Sequence, residues 1–273
     1  MSAGPIVRVT VGVPDPPTAA GRYLAAFGWT VRPDGERDRI TVGPPGGQGG
    51  DVRLVRTEGS PPAPFTTYGW AALELAVRDV DQAVLDAERA GFTVLVPPLR
   101  LGTLPLRAAQ LAGTGGEGVY LTQILGEVPG FALPRQRDPV DGVFIAVLAT
   151  PDLEESRRVV ESRLGAVRAS DRRARIQVLN HAFGLPDTTE HRLSSVRLAE
   201  RAAIEIDEYP GTARPRAAPR SGPVPGMGVV TVRGAEPAAF ALPYGGLVEV
   251  EPTTHIYRTP VSHKETIRPH PLT

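Results

Sequence analysis

Val7-Arg-Val-Thr-Val-Gly-Val-Pro-Asp15 is the stretch on which the fold turns, because the chain writes it again twice. The copies are Ala72-Leu-Glu-Leu-Ala-Val-Arg-Asp79 and Ile145-Ala-Val-Leu-Ala-Thr-Pro-Asp152. Each is an apolar, strand-like run that ends on an Asp. In the first, Val7, Val9, Val11 and Val13 share one face of a period-two pattern. The Asp then starts a helix, since its short carboxylate can accept from the free N–H groups of a first turn. Pro16 stands at the first helical position after Asp15. Asp79-Val-Asp-Gln82 and Asp152-Leu-Glu-Glu155 read as capping boxes. The three helices close at Gly28, Gly91 and Gly165, and a second strand follows each Gly. A pattern recurring in this way means duplicated structural units.

Working outward, unit one runs from about Gly4 to Glu58, with further strands at Trp29–Arg32, Ile40–Val42 and Asp51–Arg56. The Gly-rich run 43–50 is a turn or mobile loop, and it lacks the Lys-Ser/Thr ending and following helix of a phosphate loop. Unit two spans about Tyr68 to Leu125, with strands at Phe92–Val96, Leu104–Gln110 and Gly118–Ile124. A Pro-bearing linker, 126–142, leads to unit three. There Leu153, Ser156, Val160 and Leu164 mark one helix face. Strands are expected at Ala166–Ala169, Arg175–Leu179, Arg192–Leu198 and Ala202–Asp207. After a second linker, 212–225, the strands Met227–Arg233 and Gly246–Glu251 stand too close for a helix and two strands between them. They read as a fourth unit that lost its middle.

Composition bounds the function. The chain has 273 residues and no net charge, which argues against a nucleic-acid or anionic-membrane partner. It has no Cys, which excludes disulfides, thiolate metal sites and a Cys nucleophile. No apolar run approaches the length of a membrane span, and the first residues do not read as a signal peptide, so a cytoplasmic location is expected.

A repeated strand–helix–three-strand unit with an Asp opening each helix resembles the vicinal oxygen chelate superfamily of glyoxalases, bleomycin-resistance proteins and extradiol dioxygenases. The resemblance implies an α+β fold of tandem βαβββ units paired into two half-open, cup-shaped barrels, the fourth unit truncated. Paired in chain order, units one and two would form a module over 1–127, and units three and four one over 138–273. It implies a small-molecule substrate or ligand and a monomer or homodimer. It also implies a metal site of His from first strands and Glu from last strands. Here the first-strand positions, seven residues before the helix-starting Asp, hold Arg8, Ala72 and Ile145, and about Met227 in the short unit. Arg, Ala and Ile supply no ligand at neutral pH. The last-strand positions hold Arg53 and Leu121, or Leu54 and Thr122 one residue along, and then Glu205 and Glu249.

The candidate site is therefore C-terminal. Glu205 and Glu249 facing one cup would raise one another's proton affinity and form an acid–base pair; facing outward, they would be ordinary solvated carboxylates. His181 and His191 flank an expected hairpin and would assist as bases, or lie at the surface. Glu205, Glu249 and His191 would be the ligands if a divalent ion binds. Arg8, Tyr209 and Tyr257 are candidates for substrate contact, with Arg8 alternatively paired to an acid such as Glu74. Fold alone does not fix the reaction. Two readings stay open: a lyase, isomerase or dioxygenase-like enzyme acting beside a carbonyl of a secondary metabolite, and a non-catalytic, resistance-type binder.

Overall fold

The computed structural model of the chain describes residues 3–33, 36–199, 201–216 and 223–253. Unit one is built as β1 (Ile6–Val13), α1 (Pro16–Phe27), β2 (Thr30–Val31), β3 (Arg39–Gly43) and β4 (Asp51–Arg56). Unit two repeats it as β5 (Gly69–Val77), α2 (Val80–Arg89), β6 (Thr93–Arg100), β7 (Leu106–Ala112) and β8 (Gly118–Ile124). The capping logic holds in detail. The Asp79 side chain accepts from the backbone N–H groups of Asp81 and Gln82. Asp152 accepts from that of Glu155. Asp15 holds the same cap position without a bond to the backbone. Gly28 and Gly165 close their helices in the left-handed conformation, at φ of 65° and 59°, where a side chain would be strained.

Unit three has β9 (Val140–Thr150), α3 (Leu153–Leu164) and β10 (Val167–Ala174), and then departs from the pattern. Where a strand over Arg175–Leu179 was expected, the chain forms a short helix, α4 (Gln177–Phe183). Its seven residues are too few to show a helical period in the sequence, and no side chain caps its start. Gly184 ends it at φ 61°. Strands β11 (His191–Arg197) and β12 (Ala203–Glu208) complete the unit. Unit four holds β13 (Gly226–Gly234), a short β14 (Ala238–Ala241) that the sequence pattern missed, and β15 (Leu247–Pro252), with no helix.

The units pair differently from chain order. One sheet runs β14-β15-β13-β1-β4-β3-β2, joining units one and four. The other runs β10-β11-β12-β9-β5-β8-β7-β6, joining units two and three. In both, the seam is an antiparallel pair of first strands, β1 on β13 and β5 on β9. The grouping of units one with two and three with four is corrected accordingly. All the first strands are similarly apolar, so no local feature of a strand names its partner, whose choice depends on the fold around it.

One core serves both sheets. Val9, Val11, Leu54, Leu73, Leu75, Leu121, Leu148 and Ile204 pack with the helices in a single buried cluster. The two halves also lock through polar bonds. Tyr23 of α1 donates to Glu117 at 2.8 Å, and the Trp29 indole donates to the Val140 carbonyl at 3.0 Å. The Gly-rich run is part of this lock rather than a free loop. Gly50 and Val143 exchange backbone bonds, and Gly142 donates to the Gln48 carbonyl. Backbones touch here: a Cβ on Gly49 would sit 2.5 Å from the Gly142 carbonyl carbon.

Gly49 and Gly47 have similar positive φ, 83° and 68°, but a Cβ on Gly47 would meet nothing within 4 Å. Gly47→Ala should lose about 1 kcal/mol, the left-handed strain alone. Gly49→Ala should lose about 1–3 kcal/mol more from the clash at the seam. Urea unfolding of the two variants checks this, and equal losses would remove the seam from the account.

Candidate functional site

Helices α1, α2 and α3 pack in the core on one face of the sheets, the other face of each sheet forms a cup, and strand register decides which side chains enter it. In the sheet of units one and four, Val9 and Val11 go to the core, so Arg8 and Thr10 take the cup face. Arg8 lies opposite Thr231, and Thr231 opposite Glu249. Arg8 is 9% exposed and pairs with Glu251, not with Glu74. Thr231 donates to Glu249 at 3.2 Å. Arg53 faces this cup beside Thr41, while Leu54 lies in the core, which settles the register of that last strand.

The cup of units two and three is more acidic. Leu73 and Leu75 point to the core and Glu74 to the cup. Thr122 donates to Glu74 at 2.5 Å, while Leu121 is core, so Thr122 occupies the last-strand position. Glu205 pairs in register with Val147 of β9, and Glu74 with Ile145, the next inward position on that strand. Arg172 of β10 donates to Glu205 at 3.1 Å. Asp207 follows on the same face of β12, opposite Leu193. Tyr120 and Tyr209 are buried in the apolar cluster lining this cup, with Phe65, Tyr68, Ile176, Val178 and Leu179. Helix α4 thus adds Val178 and Leu179 to the cup's apolar cluster.

The electrostatics follow from burial. Loss of water, then the charge of Glu205, pushes the Glu74 carboxyl up to about 7, against the pull of Thr122 and Arg172. Burial, with Glu205 and Glu74 adding to it and Arg172 opposing, drives Asp207 well above the carboxylate range. Burial also raises the Tyr120 and Tyr209 phenols, and Asp207 adds to both.

The sequence candidates are redistributed by this geometry. Glu205 and Glu249 stand on different sheets and form no pair. Glu205 instead neighbours Glu74, which the sequence reading had treated only as a structural partner for Arg8. His191 is 6% exposed, and its Nε2 lies 2.8 Å from the Asn180 side-chain oxygen. Burial and Arg173 lower its pKa. It stands four residues along β11 from Ser195, the partner of Glu205, or about 13 Å. His181 is on α4, exposed, 3.5 Å from Asp187. Tyr209 does enter the cup. Tyr257 lies outside the described residues. The grouping of Glu205, Glu249 and His191 as one ligand set is therefore corrected. With Arg8, Ala72, Ile145 and Thr122 at ligand positions, these residues do not fit the superfamily's metal. Among the described residues no group of three His, Cys, Asp or Glu could hold one. No described helix is long and apolar enough to cross a membrane.

Comparison with known proteins agrees with this architecture. Residues 6–117 match the profile of the Glyoxalase/Bleomycin resistance protein/Dioxygenase superfamily. Glyoxalase I from Zea mays superposes with a TM-score of 0.60 at 14% identity, over 90% of this chain and 91% of that one. A candidate dioxygenase from Bacillus subtilis subsp. subtilis str. 168 gives 0.62 at 12% identity, over 92% and 86%. No curated protein matches the sequence. The sequence match to that superfamily covers residues 6–117, and the likeness to the solved structures, over nine-tenths of the chain, is one of fold.

Glu74 keeps its proton to a higher pH in the folded chain than in the unfolded one. Between the ordinary Glu range and about 7 the folded state binds more protons, so stability is full below that window and falls as pH rises through it. Asp207 acts in the same direction. Glu74→Gln should remove its share, gaining on the order of 2 kcal/mol over wild type at pH 8 relative to pH 5. Parallel urea titrations at the two pH values check it, and a constant difference would contradict the assigned environment.

Proposed function

We propose that the chain is a small-molecule enzyme of its superfamily whose working site is the cup of units two and three, and that it moves a proton beside a carbonyl of an oxygen-rich metabolite. The observation that carries this is the Glu74 carboxyl, held near neutrality beside a second carboxylate that an arginine fixes in place. A group titrating near the working pH is a good base in one step and a good acid in the next. Glu74 removes the proton from the carbon next to the carbonyl. Thr122 orients its carboxylate. Glu205 keeps its proton affinity high and anchors Arg172. The guanidinium of Arg172 is the positive charge available to the enolate oxygen that forms. Glu74 then returns the proton at a different carbon or the same one. None of these steps calls on a metal ligand.

A binder remains the second reading, favoured by the apolar residues that α4 adds to the cup. An apolar lining suits retention of a ligand at least as well as rapid exchange.

Solvent exchange separates the two. In D₂O with a panel of 1,2- and 1,3-dicarbonyl metabolites, wild type should wash out the C–H next to the carbonyl, as followed by proton NMR. Glu74→Gln should slow this by about a hundredfold or more. Equal rates in the two proteins would sink the assignment. Loss of exchange in Glu249→Gln with Glu74→Gln unimpaired would move the site to the other cup. Stoichiometric retention of a metabolite without exchange would identify a binder.

A further inference from the structure

We propose that the cup of units two and three recognises a small organic cation, a protonated amine held by Asp207 against Tyr120 and Tyr209. The inference rests on reading that cup as the working site, and adds the class of molecule that enters it.

Asp207 is 1% exposed, Tyr209 3% and Tyr120 8%; Asp207 shares the face of β12 that carries Glu205, and Tyr120 and Tyr209 belong to the apolar cluster of the cup. Among the described residues, neither carboxylate oxygen of Asp207 has a hydrogen-bond partner, nor does either phenol oxygen. A buried polar group left in this way is expensive, a carboxylate most of all. The same fold satisfies its other buried acids. Glu117 accepts from Tyr23 and from the Gly115 N–H, each at 2.8 Å. Asp141 accepts from the N–H groups of Arg137 and Asp138. Asp207 is the exception, on the same face of β12 as Glu205.

The surplus in the cup is of acceptors. Glu74, Glu205 and Asp207 face Arg172, which is bonded to Glu205. Arg216, close to Tyr209, has its donors on the Met227 and Trp70 carbonyls and the Thr67 hydroxyl. His191, the next same-face position on β11 beyond Leu193, is bonded to Asn180. With Arg172 tied to Glu205 and Arg216 to carbonyls, an incoming anion meets three acidic side chains, whereas a cation finds an unshared carboxylate. The walls are aromatic as well. Phe183 meets Tyr209 edge to face at 6.1 Å, and Phe65 stacks on Tyr120 at 6.0 Å. Ring faces beside a carboxylate attract an ammonium group and still pack against its hydrocarbon part. A metal ion gains nothing from such walls.

Entry of the cation has a proton signature. With the cup empty, burial and the neighbouring carboxylates keep a proton on Asp207. An ammonium group beside it favours the ionised form. The acid and the ammonium then become an ion pair, and one proton leaves to solvent.

Benzylamine and benzyl alcohol are suitable probes, nearly equal in shape and different in charge. Titration calorimetry on the full chain, in two buffers of different ionisation enthalpy, should show benzylamine binding with proton release and benzyl alcohol binding far more weakly. Asp207→Asn should fold at least as well as wild type, since it removes a buried acid. It should weaken benzylamine about ten- to hundredfold and abolish the proton release. Tyr209→Phe should weaken it less, with release retained. Equal binding of amine and alcohol, unchanged amine affinity in Asp207→Asn, or no amine binding up to millimolar concentration would each overturn the proposal. Carbon–hydrogen exchange that persists in an amine-indifferent protein would keep the site and remove the ligand class. Amine binding without any exchange would keep the class and remove the reaction.

Discussion

The antiparallel pairing of β5 on β9 is the contact from which the character of this protein follows. It places Glu74 opposite Ile145 and, one inward position along β9, brings Glu205 alongside through the parallel β9–β12 pair. Had unit three paired with unit four, Glu205 would have faced Glu249 and a different cup would have formed. Because a strand shows one residue in two to each face, the same register also sends Leu73, Leu75, Leu121 and Leu148 into the shared core. A slip of one residue would bury the acids among helices and turn the leucines into the cup. The core that holds the sheet together is thus also what holds its acids in place.

Much of this was legible in the sequence. The helix-starting Asp residues, the closing Gly residues and the alternation of Val7 to Val13 place β1, α1, α2, α3 and most strands, because each is a local signal. The shortened fourth unit was legible as well, from the spacing of its strands. What was not legible is non-local. Leu73-Glu74-Leu75 reads as a strand with one polar face, and nothing in it says whether that face meets water or a cup. Only the neighbours that assemble around Glu74, from β8, β9 and β12, decide this. Helix α4 was missed for a different reason. Gln177–Phe183 lacks a cap and a period, and Gly184 was its one terminal signal.

The join between the sheets shows how a small residue at one point governs a large contact. Gly49 and Gly142 let two backbones meet where any side chain would hold them apart. Around that contact Trp29, Tyr23 and Glu117 add directional bonds from unit one to its neighbours. Arg216 adds another set, donating from the second linker to the carbonyls of β5 and β13. Its buried charge is answered by backbone oxygens rather than by the acids of the cup, which leaves those acids to other partners.

The two cups have taken different courses from a common plan. Each lacks the first-strand His, yet the replacements differ in kind. In the cup of units one and four, Arg8 faces Glu251 and Thr231 faces Glu249, so the polar groups answer one another. In the cup of units two and three, Ala72 and Ile145 are small or apolar and offer the acids nothing. Among the described residues only Glu205 has an ion-pair partner there, and Glu74 has a hydroxyl. A cup that satisfies itself can serve as scaffold at little cost, whereas one that leaves a buried carboxylate and two phenols unanswered is stable only to the extent that the packing around it is strong. The shared core supplies that strength here, and it is what allows the unanswered groups to persist.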